Sequence, residues 1–437
     1  MKITLLAAAI GAAFSMTAQA EGPMAFNPIA GSAYGLENDP SVSTEPYVIP
    51  EGYEQRIVAD EDSLNIYSAN DWPDMNTVNE SGKQSGRFLY RTHEVRPGTD
   101  ARADGGLGGA VSVVDLKTGK TKEVVTRTDW EALDGLVWTP WNTLLFAEET
   151  ITAARPDPKA PQATSGMLYE LKLKNGDLTA AHSVNVRPLL GSLSHEGIEV
   201  DGEGNVYVID EDRGGSIYKF VPETYGDLSK GQLYALKVEA GAKTGKAEWV
   251  ALDMNQVQVS ARVAAKAVQA TPFCRPEDLE IIGRSLFAAL TCEDVDNAAN
   301  INGPGAVLAI KLGKRPSVKY LVAPGKNVSF ETKPSTGVAG VTGFKSPDNL
   351  AKSADGKLWI VEDNDWSDIW VVDPKGEDAN DDGYPDEVSL FASLKDQKAE
   401  GTGIYFGKDT HTLFVNVQHS GTGNDKTIAI SRSRQDD

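Results

Sequence analysis

The stretch SHEGIEVDGEGNVYVIDEDRGGSIYKFVP, residues 194–222, decides the fold. It opens on an acidic turn (His195, Glu196, Gly197), runs into a strand, and turns again at Asp201-Gly202-Glu203-Gly204. A second strand over 205–209 ends in Asp210-Glu211-Asp212-Arg213, and a glycine break leads to a third strand over 216–221. Alternating side chains with β-branched and aromatic content mark the strands, because such residues fit a pleated, half-buried surface. Glycine beside acids marks the turns, where the backbone must reverse and short polar side chains can bond to it.

The layout recurs along the chain. Residues 275–294 read RPEDLEIIGRSLFAALTCED, followed after a gap by GAVLAIKL at 305–312. Residues 346–373 read SPDNLAKSADGKLWIVEDNDWSDIWVVD, and 400–421 read EGTGIYFGKDTHTLFVNVQHSG with TIAI at 427–430. Residues 134–149 read DGLVWTPWNTLLFAEE, with SGMLYELKL at 165–173, and a weaker copy is RFLYRTHEV at 87–95 with GGAVSVVDL at 108–116. Recurring acid, strand, glycine turn, strand and acid predict an all-β fold, a β-propeller of antiparallel strands. Six copies predict six blades, with five or seven as the alternatives. Loop and short-helix insertions account for the uneven spacing, and the helix is expected in VQVSARVAAKAVQA at 257–270. A strand over 53–59 is expected to complete the last blade, and the polar segment 60–86 reads as a loop over one face.

First strands of propeller blades line the central channel, so their leading acids converge at one mouth. These are Asp134, Glu196, Glu277, Asp348 and Glu400, and the second-strand ends add Glu148, Glu149, Asp210, Glu211, Glu293, Asp294, Glu362 and Asp363. Unpaired carboxylates on one axis repel, and hard cations with an affinity for oxygen offset them. Arg213 and Arg275 stand in the same repeats. Beside a metal cluster they can receive an anion and stabilise its charge in a displacement, so both are candidate catalytic residues. The alternative is that each arginine only pairs with neighbouring acids. His93-Glu94 is a possible ligand pair or simply a hydrogen-bonded strand end. No G-x-S-x-G, P-loop or dinucleotide fingerprint occurs, and the five histidines are scattered.

GEDANDDGYPDE at 376–387 is a separate signal. Asp378, Asn380, Asp382 and Asp386 with Gly383 follow the alternation of a local calcium loop, although Ser389 stands where a bidentate glutamate is expected. Cys274 and Cys292, the only cysteines, flank a hairpin that turns at Gly283-Arg284. Pairing Ile282 with Ser285 brings them nearly opposite, so a disulfide is expected, with a thiolate metal ligand as the alternative.

Lys2, the apolar run 3–14 and Ala18-Gln19-Ala20 form a secretory signal peptide over residues 1–20, too short to span a bilayer. Residues 21–50 read as an extended arm and 51–437 as the propeller. The expected location is the periplasm or the medium, and the chain is expected to act as a monomer with no membrane span. The net charge of −21 and the lack of a basic patch argue against nucleic acid as a partner. Much of the acidity serves solubility.

In these residues the chain resembles the PhoX-type alkaline phosphatases. The resemblance lies in THE at 92–94, TPWNTLLFAEE at 139–149, SHEG at 194–197, EDRGGSIYKFVP at 211–222, RPED at 275–278, SPDNL at 346–350 and EGTGIYFGKDTHTLFVNVQHSG at 400–421. It implies a six-bladed exported propeller that hydrolyses phosphomonoesters at a mixed iron–calcium cluster (Fe3+ and Ca2+). It implies that Glu148, Glu196 and Glu277 hold that cluster. Family members carry a cysteine iron ligand ahead of the T-P-W-x-T segment, and this chain has Asp134 there. The expected function is a metal-dependent phosphoesterase acting on a small phosphoester or other anion. The rivals are a calcium-dependent lactonase and a non-enzymatic calcium-binding propeller.

Overall fold

The structure, a computed structural model, describes residues 24–36, 38–64, 67, 71–98, 108–239, 241–331 and 343–433. The expected signal peptide lies outside the described residues. The described residues form a β-propeller of six antiparallel blades around a channel. Blade one comprises Pro73–Val78, Phe88–His93, Ala110–Asp115 and Lys120–Thr126, and blade two comprises Leu133–Trp138, Leu144–Glu148, Leu168–Lys174 and Asp177–Val186. Blade three runs from Ile198–Val200 through Val206–Ile209 and Ile217–Thr224 to Asp227–Val238. A fifth strand, Gly245–Ala251, joins its edge to Ser317–Val322, the outer strand of blade four. Blade four also holds Pro276–Ile282, Ser285–Leu290 and Ala306–Lys311. Blade five holds Pro347–Lys352, Leu358–Glu362, Ile369–Val372 and Val388–Leu394, with Tyr47–Val48 of the N-terminal arm on its edge.

Blade six holds Glu400–Phe406, Thr412–Gln418 and Lys426–Arg432, and its outer strand is the early segment Tyr53–Asp60. The last blade is thus closed by the start of the chain, as the sequence predicts. Segment 60–86 departs from the expected loop: Pro73–Val78 is the innermost strand of blade one, buried along its whole length. Its sequence PDMNTV is polar and lacks strand alternation, because it packs between blades rather than on a half-wet face.

Each interface between blades has its own apolar cluster. Tyr90 and Val111 of blade one pack with Leu136, Phe146 and Tyr169 of blade two. Ala59, Val78, Leu89, Phe414 and Ala429 fill the seam between blades six and one. Burial of this kind stabilises by about 25 cal/mol per Å² of apolar surface removed from water. The predicted helix is Met254–Ala267, with Asp253 accepting at its N-terminus from Asn255 N. Its Arg262 reaches Asp210 at 2.6 Å and Asp212 at 3.1 Å, which ties it to blade three.

Cys274 and Cys292 form a disulfide, and Ile282 pairs with Ser285. Among the described residues no helix is long and apolar enough to cross a membrane.

Candidate metal centre

Each innermost strand carries an acid at or just before its start, and in four of the six blades the same backbone device sets it. Trp72, Ala132, Arg275 and Ser346 have left-handed φ of 37°, 45°, 45° and 51°, a conformation costly for residues with a Cβ. Each stands two residues before the channel acid of its blade. The carbonyl of each accepts from the residue after the second strand: Glu94 N to Trp72 O at 2.9 Å, Glu149 N to Ala132 O at 3.0 Å, Thr291 N to Arg275 O at 3.0 Å and Asp363 N to Ser346 O at 2.9 Å. Glu211 N to Ser194 O at 2.9 Å repeats the bond in blade three. The kink turns the chain from the strand end into the channel, so the first-strand acid and the second-strand end are presented together.

The inner positions are therefore Asp74, Asp134, Glu196, Glu277, Asp348 and Glu400, one per blade. Asp74 has no place among the sequence-predicted acids, yet Pro73-Asp74 repeats the pattern of Pro276-Glu277 and Pro347-Asp348. The second-strand ends at the mouth are Glu94, Glu149, Glu211, Thr291, Asp363 and His419. Ligand oxygens of Glu149, Glu196 and Glu211 all lie within 4.8 Å of one another, and so do those of Glu196, Glu277 and Asp348. Two adjacent niches thus share Glu196. Glu196 Oε2 and Glu277 Oε2 are buried with no hydrogen-bond partner. The other oxygen of Glu277 accepts from Thr291 Oγ1.

The structure places Glu148 away from the mouth. It points into the interior of blade two and accepts from Glu131 N at 3.2 Å and Met167 N at 2.9 Å. Its neighbour Glu149 takes the place at the mouth. Asp210 and Glu362 are likewise structural: Asp210 accepts from Ser194 N and from Arg262, and Glu362 from Lys345 N and Trp370 Nε1. Glu293 accepts from Cys274 N at 3.0 Å and pairs with Lys243. These carboxylates fix the segments that enter the inner strands.

Arg275 lies at the mouth, its Nε 2.7 Å from Glu211 Oε1 and 3.1 Å from Glu277 Oε1. Arg213 does not. It is exposed and donates to Ile301 O and Asn302 Oδ1, because the strand Arg213–Gly215 pairs with Phe273–Cys274 and turns outward. Arg96 is the second guanidinium at the mouth, 3.1 Å from Glu94 and 3.3 Å from Glu149. It follows THEV, outside any repeat, so the sequence carries no signal for it. Glu400 stands 3.3 Å from His419 and beside Asp363. His93 faces Asp71 O and Ser112 Oγ, away from the mouth. His195 meets Gly191 O, and burial pushes it down to about 4.

Burial pushes Asp134 up to about 7, with Glu94 and Glu211 adding repulsion and the Gly135 N–H and Glu196 opposing it. Burial also pushes Glu277 up to about 8, helped by Glu211 and opposed by Arg275. Glu196, Asp348, Asp74 and Glu400 rise well above the usual range, burial first and neighbouring carboxylates next. The mouth is close-packed: a Cβ at Gly197 would lie 2.4 Å from Asp278 Oδ1 and 2.5 Å from Leu279 N. At the other end of the channel lies a cavity of about 120 Å³, where Lys352 pairs with Glu280 at 2.7 Å.

The calcium-loop candidates Asp378, Asn380, Asp382 and Asp386 lie together between two strands of blade five. Their oxygens accept from loop groups: Asp378 from Asp382 N and Gly383 N, Asp386 from Ala379 N, Asn380 from Asp382 N, and Asp382 from Tyr384 N.

Fold and site together define a β-propeller with an oxygen-rich channel mouth whose acidic groups could hold metal ions. The alkaline phosphatase PhoX family model matches residues 135–421, and the chain belongs to that family. It is a phosphatase-type hydrolase. The structure is similar to Pseudomonas fluorescens PhoX in complex with vanadate, a transition state analogue, with TM-score 0.66 and 19% identity over 94% of this chain and 98% of that one. A gluconolactonase from Xanthomonas campestris aligns with TM-score 0.46 and 11% identity over 93% of this chain and 98% of that one. No curated protein sequence matches the chain.

Proposed function

We propose that the chain is an exported, metal-dependent phosphomonoesterase of the alkaline phosphatase type that works at the acidic mouth. One observation carries the reading: Glu196 Oε2 and Glu277 Oε2 are buried without partners, within a carboxylate set that a phosphate cannot approach unless cations offset it. The donors are all oxygen, which suits Ca2+ and Fe3+, and Asp134 in place of the family cysteine keeps the set hard. Glu149, Glu196 and Glu211 would hold one ion, and Glu196, Glu277 and Asp348 another, with Asp134 alongside. Ions bound there would supply Lewis-acid polarisation of phosphoryl oxygens.

The chain's own groups orient the substrate. Arg275, held by Glu211 and Glu277, offers its guanidinium toward the mouth, where a bidentate contact suits a phosphate. Arg96 offers a second positive group across the mouth. Thr291 fixes one oxygen of Glu277 so that the other remains for a ligand. Small phosphoesters would approach from the acidic side, since the cavity at the far end holds only about 120 Å³. A periplasmic or secreted location is supported by the signal-peptide pattern and by the disulfide.

The test is elemental analysis of protein purified without chelator, run with phosphomonoester turnover at alkaline pH. Iron with calcium, loss of turnover in chelator, recovery with Ca2+ and inhibition by vanadate are expected. Glu196→Gln should cost at least about 100-fold in kcat, since it removes a ligand common to both niches. Metal-loaded protein without turnover on a broad phosphoester panel overturns the reading. Lactone turnover with calcium alone would select the lactonase instead.

A further inference from the structure

A second group of acids lies just behind Trp72 and His419 of the mouth, at the seam where blade six meets blade one. Glu61 follows the closing strand Tyr53–Asp60, Asp71 precedes the inner strand of blade one, and Asp425 precedes Lys426–Arg432 of blade six. Their ligand oxygens lie within 4.8 Å of one another. Oxygens on opposite sides of a Ca2+ ion at about 2.4 Å would be about that far apart.

The group is also short of partners. Asp71 and Asp425 are each 3% exposed. Both carboxylate oxygens of Asp71, and Asp425 Oδ2, are buried with no hydrogen-bond partner. Asp425 Oδ1 accepts from Ser420 N at 2.7 Å, and Glu61 Oε1 lies 3.4 Å from Asp71 N. Of the nearby cations, Arg91 acts on Asp71 through space and keeps Nη2 buried without a partner, and Lys426 acts likewise on Asp425. Arg91 donates to Ser112 Oγ and Thr427 Oγ1, and Lys426 donates to Ser43 O. His93 Nδ1 stands 3.9 Å from Asp71 Oδ2 but meets Asp71 O at 2.5 Å, and burial keeps the ring neutral. Among the described residues no ion pair joins Arg91 or Lys426 to the three acids.

We propose that Glu61, Asp71 and Asp425 bind a hard divalent cation, Ca2+ by its tolerance of irregular oxygen cages, and that this ion pins the closing strand to blades one and six. Three chain segments meet at the one ion. Glu61 N already donates to Asp425 O at 3.2 Å, so the ligands on either side of the closure are held in register. Glu61 is partly exposed and gives the ion its way in from solvent. The site is independent of phosphate chemistry.

The test is calcium equilibrium dialysis on the full chain, with hydrogen exchange of the strand Tyr53–Asp60. Asp71→Asn and Asp425→Asn should each bind one calcium fewer per chain than the wild type. Calcium should slow exchange of that strand at least tenfold in the wild type and not in the variants. If Asp71→Asn does not fold, Glu61→Gln, at a partly exposed position, should show weakened calcium binding and lost protection. Unchanged calcium counts and unchanged protection in the variants overturn the proposal.

Discussion

Glu149 faces the mouth and Glu148 the blade interior because side chains alternate along a strand. Two adjacent acids look alike in sequence, and only the pairing of Leu133 with Glu148 settles which one turns inward. The two should part in experiment. Glu149→Gln is expected to lower bound metal and turnover with little change in melting temperature. Glu148→Gln is expected to keep the metal and to cost about 1–3 kcal/mol, because two buried backbone N–H groups share a carboxyl whose second oxygen becomes a donor NH2. Metal content and thermal melts of both variants decide, and reversed phenotypes would return the ligand role to Glu148. Gly197 shows the same economy of space. Its Cβ would press on Asp278 and Leu279 backbone, which cannot move aside without shifting blade four. Gly197→Ala should lose at least about 2 kcal/mol, in the range of overpacked sites; an unchanged melting temperature would show that the mouth is slack.

At the scale of elements, the helix Met254–Ala267 was legible from its apolar spacing, but what it does was not. Its Arg262 balances Asp210, a fully buried carboxylate whose other contact is Ser194 N, just ahead of Glu196. Arg262→Met should cost about 3–5 kcal/mol, since it leaves a buried charge without a partner. Asp210→Asn in the same chain should recover part of that loss. A chemical-denaturation series on the single and double variants would show it, and additive losses would rule the pairing out. The strand Pro73–Val78 was not legible, because both its faces are covered and a polar strand between blades needs no alternation. Asp74 was lost with it. Arg213 stands outside the mouth for the opposite reason: its repeat is genuine, but a short pairing with Phe273–Cys274 carries the side chain outward.

For the whole molecule, repetition was the legible quantity. Five of the inner acids and the closing strand follow from aligning copies of one segment, whereas Arg96 and the choice between neighbouring acids depend on how blades pack. The collected carboxylates also set the response to pH. Glu148 and Glu277 are pushed up to about 8 and Asp134 to about 7, chiefly by burial. Above pH 7 unfolded carboxylates and histidines have already lost their protons, while these folded groups still hold some. The folded state binds more protons there, so stability falls as pH rises through that range. Metal-stripped protein should therefore melt lower at pH 8.5 than at pH 7, and calcium should raise the melting temperature more at pH 8.5. A stripped protein equally stable at both values would contradict this. The closure of blade six by Tyr53–Asp60 has a consequence in time. The strand Tyr53–Asp60 must wait, unpaired on that side, until Lys426–Arg432, far along the chain, is made. Chains cut short before residue 426 leave that ring open and expose a strand edge, which favours association between unfinished copies. The molecule becomes whole in a single late step, and until then every earlier blade is provisional.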